Sequence, residues 1–187
     1  MIRNIAVVAV FLLLGACQTT QAPVNKDYSA TVADAAKSVC IPNVGNVAAL
    51  RKAAMDYTGD SGKEFDSVDA TGPIKVWHYQ IVEDGRNVSF IAIGSPGGCD
   101  VSFVNDVADM DTVRDALGAE VYGGYKPSLL DNQTGYGRIP GQDFVVLFGA
   151  FDFAPGKTSR GVGFITKDIY QRVEVPNGAP EKLEWGG

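Results

Sequence analysis

The chain has 187 residues, of which 45% are hydrophobic and 20% charged, and its formal net charge is −6. That length is enough for one domain with a core of its own, and the composition excludes a disordered chain, a collagen-like repeat and a coiled coil. A pI near 4.7 leaves no Lys/Arg surplus to neutralise phosphates, which argues against nucleic acid as the main partner.

Met1 to Asn4 carries one positive side chain, Arg3, and Ile5 to Leu14 is an unbroken apolar run of ten residues. Such a run falls well short of the roughly 18–20 residues that cross a bilayer as a helix, but it matches the apolar region of a secretory signal peptide. Leu14-Gly15-Ala16-Cys17 closes it. These four residues resemble the lipobox of bacterial lipoproteins. The resemblance implies that residues 1–16 are a signal peptide and that Cys17 becomes the lipid-bearing first residue, anchored in a membrane and facing the periplasm. Gln18 stands where an Asp would mark retention at the inner membrane, so the outer membrane is favoured. Several acyl chains, at about 0.8 kcal/mol per buried CH₂, hold a protein far more firmly than one. The likeness ends at Cys17 and implies no activity. Residues 17–27 are polar, with one Pro and no hydrophobic period, and read as a flexible tether. Arg3 is the one basic residue among residues 1–16, so the remaining chain keeps 15 basic residues against 22 acidic ones, a charge of −7.

Residues 28–187 read as a single α+β domain. Val32, Ala35, Ala36 and Val39 recur at helical spacing, and so do Val47, Leu50, Ala54 and Tyr57, with Asn46 as cap and Gly59 as stop. Asp60 to Gly72, rich in Ser, Asp and Gly, reads as a loop. Ile74 to Val82 and Asn87 to Gly94 flank an Asp-Gly hairpin signal at residues 84–85. Cys99 to Val104 alternates, with Cys99, Val101 and Phe103 on one side. Helical period returns over Asp106 to Leu117, with Asp106 as the expected cap. Ala119 to Tyr125 reads as a short strand, Lys126 to Gln142 as a long Gly/Pro/Asn-rich loop, and Phe144 to Phe153 and Gly161 to Lys167 as strands. Val175 to Gly187 reads as irregular, with Leu183 and Trp185 as docking residues. The expected order is α-α-β-β-β-α-β-β-β: an antiparallel sheet of five to six strands with two to three helices covering one face. Phe90-Ile91-Ala92 with Val101-x-Phe103 echoes Phe148-Gly149-Ala150 with Val162-x-Phe164.

Once Cys17 is assigned to lipid, Cys40 and Cys99 remain. In an oxidising compartment they are expected to pair, closing a loop worth roughly 4 kcal/mol; the alternatives are two free thiols, a reactive thiol or a metal ligand. His78 is the only histidine, so a Ser-His-Asp site must use it and a multi-His metal site is excluded. Gly156-Lys157-Thr158 lacks the upstream glycine of a phosphate-binding loop, since Phe151 stands in its place. Asp106, Asp109, Asp111 and Asp115 do not follow Ca²⁺-loop spacing and suit a helix start and its solvated face. No cofactor is implied. Tyr122, Tyr125, Tyr136 and Arg138, set among glycines on and beside the long loop, form the candidate ligand site: polar-tipped aromatics suit peptide or glycan contacts. The expectation is a binding module with an envelope protein, peptide or glycan as partner. The alternative is an envelope hydrolase using acids such as Asp143 or Asp152, a chemistry that needs two carboxyl groups within roughly 5–10 Å of each other.

Overall fold

The computed structural model describes residues 26–69, 72–104, 107–125, 134–154, 157–176 and 178–183. Residues 1–25, with Cys17, the apolar run and most of the tether, lie outside the described residues, as do Asp106 and Trp185.

The first helix, α1 (Ser29–Ala35), buries Val32, Ala33 and Ala35. It widens into a π-helical turn over Ala36–Cys40 and ends in a 3₁₀ turn at Ile41–Asn43, where Pro42 removes a backbone donor. Helix α2 (Val47–Thr58) starts where the Asn46 side chain accepts from Ala49 N at 3.1 Å and stops at left-handed Gly59. Four strands follow: β1 (Lys63–Asp69), β2 (Gly72–Glu83), β3 (Arg86–Gly94) and β4 (Cys99–Val104). Helix α3 (Met110–Leu117) is capped by Asp109, not Asp106: the Asp109 carboxylate accepts from Thr112 N at 2.8 Å. Four more strands complete the sheet: β5 (Glu120–Tyr125), β6 (Thr134–Arg138), β7 (Phe144–Ala154) and β8 (Lys157–Thr166). A final helical segment, α4 (Lys167–Ile169), runs on as a π-helical turn over Tyr170–Glu174.

All eight strands form one antiparallel sheet in the order β1-β2-β3-β4-β8-β7-β6-β5. The expected count of five to six strands and the order α-α-β-β-β-α-β-β-β are therefore corrected by two strands and a C-terminal helix. Strand β1 falls inside the expected loop Asp60–Gly72 and β6 inside the expected loop Lys126–Gln142. Both have compositions poor in β-formers, KEFDSVD and TGYGR. Their conformation comes from the ladder offered by β2 on one side and by β5 and β7 on the other.

Alternation along the strands creates two faces. The first carries Tyr79, Ile91, Ile93, Val101, Phe103, Val146, Val162 and Phe164, packed against Val32, Val39, Leu50 and Val113 of α1–α3. Cys40, at the end of the π-helical turn, is disulfide-bonded to Cys99 at the start of β4, with Cα atoms 5.5 Å apart. The second face is covered over its β5–β8 half, where Tyr125, Tyr136, Val145 and Ile165 pack with Ile169, Tyr170 and Leu183 of the C-terminal segment. The helices thus do not all lie on one face as expected, and over β1–β3 the second face carries exposed side chains.

Candidate functional site

That open half-face is defined by the strand register. Lys63, His78, Ala92, Asp100 and Gly163 are successive cross-strand partners across β1, β2, β3, β4 and β8. The neighbouring row runs Gln80, Phe90, Ser102, Gly161 and Gly149, ending on β7. A cleft of about 430 Å³ over β1–β3 is lined by Asp60, Lys63, Phe65, His78, Gln80 and Phe90 among others. Phe65 stays 46% exposed, which marks an apolar side chain left uncovered on the cleft rim. Its ring lies 5.0 Å from that of His78.

The titratable groups here are pushed in different directions. Desolvation among its neighbours holds the His78 imidazole below its ordinary pKa, so it is neutral at pH 7. Asp60 accepts backbone hydrogen bonds from Gln80 N at 3.2 Å and Gly62 N at 3.1 Å, and these hold its carboxyl below the usual range. Asp100, beside the cleft on β4, behaves oppositely: burial pushes its carboxyl up to about 6, opposed by a hydrogen bond from the Ser102 hydroxyl. Its Oδ2 lies over β8, where a Cβ at Gly161 would meet it at 2.9 Å and a Cβ at Gly163 at 3.7 Å.

His78, Asp100 and Ser102 invite a nucleophilic reading that the geometry does not support. His78 and Asp100 stand two strands apart, about 10 Å at ordinary strand spacing, whereas a Ser-His-Asp relay needs contiguous hydrogen bonds. The site offers a desolvated carboxyl, a hydroxyl, a neutral imidazole and aromatic walls over a floor of glycine and alanine. Among the described residues, no group of three or more His, Cys, Asp or Glu side chains is placed to hold a metal ion.

The four residues of the expected ligand site do not form one surface. Tyr125 and Tyr136 are buried, at 7% and 4% exposure, inside the core of the second face. The Tyr125 hydroxyl donates to Glu174 of the C-terminal segment, and burial raises its pKa. A Cβ at Gly123 would come within 2.8 Å of the Tyr136 ring, so that glycine makes room for packing. Tyr122 and Arg138 converge at the sheet edge: the Tyr122 hydroxyl donates to Glu120 Oε2 at 2.6 Å, Arg138 Nε donates to the same oxygen at 3.0 Å, and the guanidinium lies 5.4 Å from the Tyr122 ring centroid. Asp143 is exposed and paired with Lys167 at 2.8 Å. It precedes β7, whose Asp152 lies nine residues on. The side chain of Asp152 lies outside the described residues.

Asp100, Ser102, Gly161 and Gly163 stand outside the ligand site that the sequence suggests, although its alternation carries a signal for two of them. If Cys99, Val101 and Phe103 face the core, period 2 sends Asp100 and Ser102 to the other face. Comparison with known proteins adds nothing to this picture: no family model, curated protein or solved structure matches the chain significantly.

Proposed function

We propose that this chain is a lipid-anchored protein of the bacterial cell envelope, held at a membrane by Cys17 with the outer membrane favoured, and that its periplasmic domain is a binding module whose ligand surface is the open sheet face over β1–β3, with Asp100 of β4 at its margin. The observation that carries the anchor is the tetrapeptide Leu14-Gly15-Ala16-Cys17 after a ten-residue apolar run. A Cys40–Cys99 disulfide suits an oxidising compartment. The observation that carries the binding surface is the cleft over β1–β3, with its exposed Phe65 and convergent polar groups.

The anchor also sets an orientation. Lys26 Nζ pairs with Glu83 at 2.6 Å and Asp84 at 2.8 Å, so the chain enters the domain at the β2–β3 hairpin. Lys26 stands nine positions after Cys17, a reach of at most about 32 Å, which turns the hairpin end toward the lipid. The test is metabolic labelling with a fatty acid followed by membrane fractionation. The wild-type chain is labelled and floats with the outer membrane. Cys17→Ala is unlabelled and keeps residues 1–16. Persistent label on Cys17→Ala overturns the anchor.

A further inference from the structure

On the reading that the open face is a binding surface, we propose that Asp100 anchors the primary ammonium of an extended, lysine-like side chain of an envelope peptide, seated over Ala92 and Gly163.

The first ground is an uncompensated anion. The one hydrogen bond of the Asp100 side chain among the described residues is with the Ser102 hydroxyl, and no described cation pairs with it. The nearest cation in its cross-strand row is Lys63, three strands away, or about 14 Å at ordinary spacing. A desolvated carboxylate in that position calls for a cation. Ser102 adds a hydroxyl acceptor. Phe90, cross-strand partner of Ser102, adds an aromatic ring whose face attracts an ammonium.

The second ground is the floor. Gly161 and Gly163 sit in a central strand with no left-handed φ, so their conformation is open to any residue. Strand glycine weakens a sheet and often marks close approach by another group. At 161 the missing side chain makes room for Asp100 and Ser102 themselves. At 163 a Cβ would have ordinary contact with Asp100 Oδ2 at 3.7 Å and with Leu147 Cβ at 3.6 Å, so a methyl group would fit there without strain. The floor is lower than packing demands, directly beside the carboxylate. Ala92 continues it toward His78. An ammonium on an unbranched chain is narrow enough to use this space; a planar guanidinium is wider. A metal ion would need more oxygen ligands than Asp100 and Ser102 supply. Asp100 stands in mid-sheet, on β4 between Ala92 of β3 and Gly163 of β8, where a side chain reaches more readily than the flat surface of a bilayer.

The test uses the full chain in detergent, titrated with Nα-acetyl-lysine amide while backbone amide shifts are followed by NMR. The expected result is saturable binding that moves the amides of Ala92, Ser102 and Gly163. Nα-acetyl-norleucine amide, which has a methyl group in place of the ammonium, does not bind. Asp100→Asn weakens binding by roughly tenfold or more, and Gly163→Val, which fills the floor, does the same while its far-UV spectrum and unfolding cooperativity match the wild type. Equal binding of the norleucine probe, or unchanged affinity in Asp100→Asn, overturns the proposal. Shifts of these amides by N-acetylglucosamine or by phosphatidylethanolamine vesicles, but not by the lysine probe, overturn the ligand class and leave the binding face standing. No shift on this face with any of the three overturns both.

Discussion

Asp100 opposes its own ionisation. Burial raises its pKa from 3.8 to about 6, so the folded chain holds the proton more tightly than the unfolded chain. Below about pH 4 both forms are protonated and the group is neutral in its effect; stability then falls as pH rises toward about 6; above that the full penalty, on the order of 3 kcal/mol, stands. Asp100→Asn keeps an oxygen to accept from Ser102 and loses the charge. It is expected to be more stable than the wild type by up to about 3 kcal/mol at pH 7 and no more stable near pH 4. Urea titrations across this range check it, and a constant difference between the two chains at every pH would refute it. The lowered pKa of His78 works in the opposite direction, its contribution being lost as pH falls, but both chains share that slope. A residue that weakens the fold beside a glycine whose place a methyl group could take is what the proposed binding role of Asp100 would leave in the structure. Tyr79 makes a contrasting case. Its ring is fully buried and its hydroxyl finds no hydrogen-bond partner among the described residues. Tyr79→Phe is therefore expected to be neutral or to stabilise by about 1 kcal/mol in thermal melts; a clear loss would show that the hydroxyl is hydrogen-bonded.

Among the elements, the ones most legible in the sequence are those whose side chains carry their own period. Helix α2 shows its cap, stripe and stop at Asn46, Leu50, Ala54 and Gly59, and β4 shows its alternation at Cys99, Val101 and Phe103. Strands β1 and β6 lack that signal because neighbours, not side chains, make them strands. The edge strand β1 is charged, as edges that avoid further pairing often are, and Lys75 of β2 ties it down through Glu64 at 3.0 Å and Asp66 at 2.6 Å. The candidate site was half legible for the same reason: period 2 places Asp100 and Ser102 on one face, but their partners Gly163 and Gly161 lie about 60 residues on, and only the β4–β8 ladder brings them together. The Tyr122–Arg138 group misled because polar-tipped aromatics on a Gly-rich stretch look the same whether they face solvent or, like Tyr125 and Tyr136, another element. At this scale the disulfide is the strongest local tie, joining the end of the first helix to β4 across 59 residues. The chain-entropy model gives it about 4 kcal/mol, or roughly 8–16 °C in a chain of this size. Calorimetry with and without reductant measures that drop, and Cys40→Ala/Cys99→Ala should match the reduced wild type; an unchanged melting temperature on reduction would remove the disulfide from the account of stability.

For the whole molecule, the strand order shows two four-stranded meanders, each running from a sheet edge to the centre and meeting at β4 and β8. Val101 and Val162 face each other across that seam. The sequence echo pairs these two valines, but it is one residue out of step on the outer strands: Val101 pairs with Ile91 and Val162 with Phe148, so Phe148 corresponds in position to Ile91 and not to Phe90. Similar hairpin constraints account for the likeness. The seam does not divide the molecule, because one buried cluster runs from Tyr79 and Ile91 through Val101 and Val162 to Val146 and Phe148. A shared core predicts shared unfolding. Val162→Ala, at a fully buried position on the seam, should cost about 2 kcal/mol and should shift both halves together. With Trp185→Phe in both chains, so that Trp77 is the one remaining tryptophan, Trp77 fluorescence reports β2, and amide exchange at Val145–Leu147 reports β7. Both are expected to move to the same lower denaturant midpoint with the same slope. If the β7 amides exchange well before the Trp77 signal changes, the two meanders are separate folding units and the seam is an interface between them.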